Sequence, residues 1–313
     1  MRTICLNQTS FEVSENVATI GVFDGVHAGH QLLVRKVREE ARRVGLPSLV
    51  ITFDRQPRQL FDPTFRPQLL TTLEEKEAII ASLGIDILVV LPFTKELADL
   101  SAHDFMQQVL RRQLQVKTLI TGYDNRFGHN RAEGFDDYVR YGREMGMQVL
   151  RGDAEMMADG SRAVSSSLIR RLLSEEGRAD LMPQCLTRCY RLSGRVMPGE
   201  HIGHQLGFPT ANLEPLCRDK LIPAPGAYAV WAELNDGAQR LPGMMNIGTR
   251  PTFEGKRQTL EVNIFGFEGN LYGQSVTISF VARLREERRF DSPDALAVQL
   301  KEDREQAKKI LLG

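Results

Sequence analysis

Between residues 16 and 150 the chain alternates short apolar runs with longer stretches whose apolar positions recur at helical spacing. Asn16-Val17-Ala18-Thr19-Ile20, Leu49-Val50-Ile51-Thr52-Phe53, Ile85 to Leu91, Thr118-Leu119-Ile120-Thr121 and Gln148-Val149-Leu150 have the length and character of buried strands. Gln31 to Arg43, with Leu32, Leu33, Val34 and Val37 along one side, predicts an amphipathic helix. Further helices are expected from Thr71-Thr72-Leu73-Glu74-Glu75-Lys76, with Thr71 or Thr72 as the cap, over Ser101 to Gln113, and over Tyr138 to Gly146. The stretch Gln56 to Pro67 reads as a Pro-rich loop. Strand and helix in alternation predict a parallel sheet covered on both faces, with ligands at the carboxyl ends of its strands.

After a short helix at Ser165 to Leu173 and the punctuation of Gly177 and Pro183, the rhythm changes. Tyr190 to Val196, Gly226 to Trp231, Leu241 to Ile247, Leu260 to Phe265 and Ser275 to Leu284 read as strands in series. Alternation is clearest in 260–265 and 275–280. Such strands separated by glycine turns predict an antiparallel barrel. Ser292-Pro293-Asp294 then starts one long closing helix to Leu312. The fold class is α/β followed by β, with the boundary placed at 183–187.

The polar residues of the first half gather where the strands end. Gly21-Val22-Phe23-Asp24-Gly25-Val26-His27-Ala28-Gly29-His30 is a strand-to-helix turn with three glycines and two histidines. Glycine lets a backbone approach a ligand, and the first amides of a helix are unpaired donors that favour anions. The turn reads either as a phosphate site faced by both histidines or as an ordinary turn with capping histidines. Asp54 and Arg58 follow the second strand, and Gly122-Tyr123-Asp124-Asn125-Arg126-Phe127-Gly128 follows the strand at 118–121. Ser165-Ser166-Ser167-Leu168-Ile169-Arg170 presents three hydroxyls and an arginine at a helix start, suited to a polyphosphate or to a capping turn. Together these ends predict one crevice.

In the second half, Gly203 to Asn212 is a glycine-rich loop ending in two neutral oxygen ligands. Thr210 and Asn212 suit a magnesium ion that takes the rest of its shell from phosphate and water, or simply form a turn at a barrel edge. Glu261, on a strand between Leu260 and Val262, is a candidate base, or the partner of an arginine.

Bulk composition narrows the classes. The 313 residues are 42% hydrophobic and 26% charged, which with this length predicts two globular domains. Forty basic residues balance forty acidic ones, so no global field favours nucleic acid or a membrane surface, and neither is expected as a partner. Met1-Arg2-Thr3-Ile4-Cys5-Leu6 is too short and polar for a secretory signal, no apolar run reaches membrane length, and a soluble, cytoplasmic chain is expected. Cys185 and Cys189 lack a second closely spaced Cys/His pair, so reduced thiols are expected of Cys5, Cys185, Cys189 and Cys217 rather than a structural metal.

Taken together, these blocks resemble the bifunctional bacterial riboflavin kinase/FAD synthetases, in order and over essentially the whole chain. Gly21 to His30 resembles the nucleotidyltransferase signature, and Thr52-Phe53-Asp54, Gly122 to Gly128 and Ser165 to Arg170 resemble the other blocks of the adenylylating domain. Gly207-Phe208-Pro209-Thr210-Ala211-Asn212, Asn246 to Phe253, Glu261 to Phe265 and Leu284 to Phe290 resemble the kinase blocks. The resemblance implies a Rossmann-like FMN adenylyltransferase domain over 1–184 and a riboflavin kinase barrel over 185–313. It implies two reactions, riboflavin and ATP to FMN, then FMN and a second ATP to FAD and pyrophosphate, with Mg²⁺ in both.

By the same resemblance, Glu261, His27 and His30 are catalytic and Thr210 and Asn212 hold the metal. Gly21, Phe23, Asp24, Gly29, Asp124, Asn125, Ser165, Ser166, Arg170, Gly207 and Pro209 bind ATP or phosphate. Several positions depart from the pattern. Gln56 stands where His is usual, Asn125 where an aromatic is frequent, and Ser167 where Thr is usual. In the kinase half His204 replaces Arg, Asn263 His and Gly266 Asp. These departures bear on substrate affinity rather than reaction type. Two other readings stay open: a chain with only the kinase half active, Gln56 weakening the other, or a flavin-binding protein without turnover.

Overall fold

The computed structural model describes residues 1–6, 12–129, 132–198, 208–234, 237–252 and 255–313, and at 250–252 and 255–257 the backbone alone. Contacts gather the chain into two compact units, Met1–Ser166 and Ser167–Gly313.

The first unit is built on six parallel strands, β1 (Arg2–Cys5), β2 (Asn16–Ile20), β3 (Ser48–Phe53), β4 (Ile87–Leu91), β5 (Val116–Thr121) and β6 (Gln148–Arg151), in the order β1-β4-β3-β2-β5-β6. The expected doubly covered sheet is observed, and side-chain alternation explains why its strands read as solid apolar runs. Ala18, Ile20, Leu49, Ile51, Val89 and Leu91 enter one core, and Val17, Val50, Leu88 and Val90 enter the other. Helix α1 (Ala28–Val44) covers the second core with Leu33, Val34, Val37 and Ala41, after an N-cap at His27 and before a left-handed C-cap at Gly45.

The four-residue α2 (Arg58–Phe61) lies within the expected loop, and α3 (Leu73–Ser82) follows it. Of the two candidate caps for α3, Thr72 makes the contact, in a capping box with Glu75. After the short α4 (Lys95–Ala98), the helix expected over 101–113 begins as α5 (Ala102–Asp104) and continues with π-type hydrogen bonding over Phe105–Gln113. Helix α6 (Phe135–Glu144) completes the first core face, where Tyr138 stacks on Phe127. Strand β1 was not expected. It is four residues at a sheet edge, paired among the described residues with β4 alone, with too little apolar signal to announce itself.

Helix α7 (Ser166–Ser174) starts on the last residue of the first unit and otherwise belongs to the second, where α8 (Met182–Leu186) follows. It closes β7 (Tyr190–Met197), β8 (Ala211–Pro215), β9 (Gly226–Leu234), β10 (Gln239–Thr252), β11 (Gly255–Ile264) and β12 (Ser275–Glu286) into an antiparallel barrel, in the order β10-β11-β8-β7-β12-β9. The β8–β11 seam that closes the ring is short, the pairs Glu261–Asn212 and Val262–Ala211. Five of these strands were expected. The sixth, β8, ends in Pro215 and read as loop. Tyr190, Tyr228 and Phe280 are fully buried, the tyrosine hydroxyls donating to the carbonyls of Leu221 and Ala224 at 2.5 and 2.6 Å. The final helix, α9 (Pro293–Leu312), is capped by Ser292 as its sequence predicts. It is held to β12 by the buried Arg285–Asp303 ion pair at 2.9 Å, where Gln299 also donates to Asp303.

Candidate functional site

In the sheet order, β2 is followed in the chain by β3 on one side, while β5 lies on the other. The order therefore reverses between β2 and β5, where doubly wound sheets bind their ligands. The Gly21–His30 turn leaves β2 at this point, and Asn125, in the segment after β5, donates its side-chain amide to the Ile20 carbonyl at 2.7 Å.

The turn is strained and tightly held. Phe23 (φ 51°) and Val26 (φ 38°) adopt left-handed backbone that a β-branched residue rarely takes. The buried Asp24 carboxylate accepts from the amides of Leu70 and Thr71 at 2.9 and 3.1 Å and, more loosely, from Gln56 Nε2 at 3.4 Å. The Gly25 amide donates to Thr71 Oγ1 at 3.0 Å, and Ser166 Oγ donates to the Asp24 carbonyl at 2.8 Å. Gly21 and Gly29 lie close against aromatic rings of the turn. A Cβ at either position would press at 3.3 Å on the Phe23 or His27 ring.

The capping reading of the histidines holds for His27. His27 caps α1, its Nδ1 accepting from the His30 amide at 3.3 Å, which leaves the ring proton on Nε2 of the neutral form. The two imidazoles stack with centroids 3.6 Å apart, and Phe23 meets His30 edge-on at 5.0 Å. His30 Nδ1 is buried without a hydrogen-bond partner. Burial, then His27 and then Lys76 hold the His30 pKa well below its ordinary 6.5. The site therefore offers buried ring donors and a glycine-spaced backbone to an anion.

Beside the turn opens a cavity of about 550 Å³ lined by Gly21, Val22, Asn125 and five phenylalanines, Phe53, Phe61, Phe93, Phe105 and Phe127, with Arg58 and Arg126 among them. An apolar, aromatic wall with a few polar groups is what a flat heteroaromatic ligand needs. The sequence reading missed these phenylalanines. The available signal was Phe53, Phe93 and Phe127 standing at or just beyond the ends of three successive core strands. Asp124 is exposed and does not line this cavity. Asp54 pairs with Arg55 and accepts from the Phe93 amide at 2.9 Å, so it ties two strand ends together. Ser165 is half-buried, and Arg170 lies half-buried on α7 in the second unit.

In the barrel, Glu261 of β11 stands opposite Asn212 of β8 and Asn246 of β10, so the three share one face. Glu261 and Asn212 are half-buried, and Thr210 lies just before β8. The exposed Pro209 is fixed through its carbonyl, which accepts from Asn263 Nδ2 at 2.7 Å. Asn263 thus has a defined task where the family pattern has His. Gly266 takes a left-handed turn (φ 69°) directly after β11. A cavity of about 400 Å³ lies against Thr210, Val262, Ile264 and Tyr272. Gly207 and His204 lie outside the described residues. Among the described residues no three His, Cys, Asp or Glu side chains group to hold a metal. A cation at Thr210 and Asn212 would meet neutral oxygens, which fits a hard ion anchored mainly by phosphate.

The family model of FAD synthetase matches residues 10–168, and that of riboflavin kinase matches residues 186–311. A bifunctional riboflavin kinase/FMN adenylyltransferase of Escherichia coli K12 is 38% identical over 287 residues, covering 92% of this chain and 90% of that protein. The chain belongs to this bifunctional family. Its counterpart in Pseudomonas fluorescens is 39% identical, covering 92% and 90%, and that of Bacillus subtilis is 32% identical, covering 95% and 92%. A crystal structure from Streptococcus pneumoniae, described as a macrolide-efflux protein, superposes with a TM-score of 0.88 at 30% identity, covering 98% of this chain and 99% of that one. The shared fold is the content of that match, and among the described residues no helix is long and apolar enough to cross a membrane. The protein is a riboflavin kinase and FMN adenylyltransferase, an ATP-using transferase of flavin cofactor synthesis.

Proposed function

We propose that the two reactions divide between residues 1–184, which adenylylate FMN, and residues 185–313, which phosphorylate riboflavin. The observation that carries this reading is the strained, histidine-lined turn lying against an aromatic cavity at the same strand ends. A flavin ring fits the cavity by chemistry, and its phosphate then reaches toward the turn with the α-phosphate of ATP.

The FMN phosphate is a dianionic nucleophile near neutral pH, so adenylyl transfer needs no protein base. What the site supplies is stabilisation of charge on the reacting phosphate and the leaving pyrophosphate. His27 and His30 donate to the α- and β-phosphates, with Gly21, Phe23 and Gly29 allowing close backbone approach. Asp24 holds the turn's shape, and Asn125 holds the far wall of the crevice. Ser165 and Ser166 serve the pyrophosphate side, and Asp124 remains a nucleotide contact in this scheme.

In the kinase, Glu261 takes the proton from the ribityl hydroxyl as it attacks the γ-phosphorus of ATP. Gly207 and Pro209 approach the phosphates, and the cavity beside Thr210 takes the nucleotide. Thr210 and Asn212 would hold a Mg²⁺ that, when bound, screens charge between the β- and γ-phosphates. Mg²⁺ in the adenylylating half would be ligated mainly by phosphates and water.

Incubating the protein with riboflavin, ATP and Mg²⁺ and separating the flavins tests the division. His30→Ala is expected to slow FAD formation at least about tenfold, the lower end of the range for a transition-state donor. FMN formation should continue in that variant. An unchanged FAD rate in His30→Ala would reduce His30 to a structural ring.

A further inference from the structure

A lysine lies beneath the phosphate turn, and neither the glycine motif nor the histidines account for it. Lys76, in α3, is 6% exposed, although lysine is almost never buried without an ionic partner. Its Nζ donates to the Val22 carbonyl at 2.8 Å and to Thr52 Oγ1 at 3.1 Å, and the Thr52 hydroxyl donates in turn to the same carbonyl at 3.1 Å. Both acceptors are neutral.

We propose that Lys76 is a positioning residue for adenylyl transfer, fixing the Val22–Phe23 peptide of the turn and supplying the positive charge beneath it that a polyphosphate meets. The inference rests on the assignment of adenylyl transfer to this turn. In a trans peptide the carbonyl and the next amide point in opposite directions. With the Val22 carbonyl tied toward Lys76, the Phe23 N–H is turned away from α3. Among the described residues it donates to no protein group. The same tether helps to hold Phe23 in its left-handed conformation (φ 51°). Lys76 thus acts on the phosphate through a backbone donor it does not itself touch.

The charge has a second consequence. A neutral amine keeps two N–H groups, enough for both acceptors, so these hydrogen bonds do not need the ammonium. Burial lowers the Lys76 pKa to about 8, against the smaller opposing pull of Asp24 in the turn and Glu77 on its own helix. From α1 the neighbour is His30, with His27 stacked on it, and from β3 the neutral Thr52. An arriving polyphosphate favours the protonated form, so nucleotide binding and protonation of Lys76 reinforce one another. Above the Lys76 pKa the charge is lost before the nucleotide arrives. The substrate phosphates are already deprotonated there, so an alkaline limb in FAD formation belongs to the protein.

The test compares Lys76→Met with the wild type. In the wild type, kcat/KM for FAD formation should fall by up to about tenfold per pH unit above the limb near pH 8. In Lys76→Met it should be reduced about tenfold or more near neutral pH and lack that limb, while FMN formation by the same chain is unaltered. Carbon-13 labelling of the lysine ε-carbons in the wild type should reveal one lysine titrating near pH 8 that moves upward when Mg·ATP is added. A variant with wild-type rate and an unchanged alkaline limb overturns the proposal. If Lys76→Met does not fold, the wild-type titration decides, and the absence of any lysine titrating below its ordinary range is the contrary result. A slow His30→Ala beside an unaffected Lys76→Met would reject this inference alone, whereas a wild-type rate in His30→Ala would reject the assignment beneath it.

Discussion

At the residue scale, the stacked pair His27 and His30 shows how a small set of contacts sets the protonation of a buried ring. One imidazole nitrogen caps the helix, and the ring so placed lies against the next, with 3.6 Å between centroids. Two such rings cannot both carry charge cheaply, and burial adds to that cost for His30. His30 is therefore neutral near pH 7. Between 6.5 and its lowered folded value, the unfolded chain binds a proton that the folded chain refuses. Stability should consequently fall as pH drops through that window and lose this dependence below it. Urea unfolding followed from about pH 7 to 5 should show the fall in the wild type and a smaller one in His30→Ala. Equal slopes would mean that His30 titrates normally in the fold.

At the element scale, the β2–α1 turn owes its shape to the segment just before and within α3. Asp24 is the central tie, accepting two backbone amides from residues 70 and 71 while Thr71 answers to Gly25. Asp24→Ala leaves those buried amides unpaired, at a cost of about 2 kcal/mol or more. Calorimetry should show the unfolding transition of the first unit lowered by roughly 4–8 °C, with FAD formation lost and FMN formation kept. An unshifted transition would mean that the turn holds itself.

The elements themselves were mostly legible, because strands buried on both faces read as unbroken apolar runs and the barrel strands alternate. The histidine turn and its helix cap were legible for the same local reason: its glycines, histidines and helix start are contiguous. Features assembled from distant pieces were not. Strand β1 is identified only by its pairing with β4, and β8 only by its place between β7 and β11. The phenylalanine cavity draws on separate strand ends. Lys76 sits in a Glu-Glu-Lys run that reads as a solvated helix face, and only the packing of α3 under the turn reveals it as interior.

At the scale of the whole molecule, two architectures with different strand rules run through one chain. A parallel sheet exposes its strand ends to a ligand, and a closed barrel presents Glu261 and Asn212 side by side across β11 and β8. The proposed catalytic residues His30 and Glu261 lie in separate compact units, so each reaction should be removable without the other. Glu261→Gln should abolish FMN formation from riboflavin and leave the conversion of added FMN to FAD near wild type. His30→Ala should do the reverse, making FMN that accumulates. The most direct measurement is a time course of separated flavins for the wild type and both variants with ATP, Mg²⁺ and, in parallel, riboflavin or added FMN. The account predicts transient FMN followed by FAD in the wild type, no new FMN in Glu261→Gln, and stalled FMN in His30→Ala. Loss of both activities in either variant, or a wild type that stops at FMN, would contradict it.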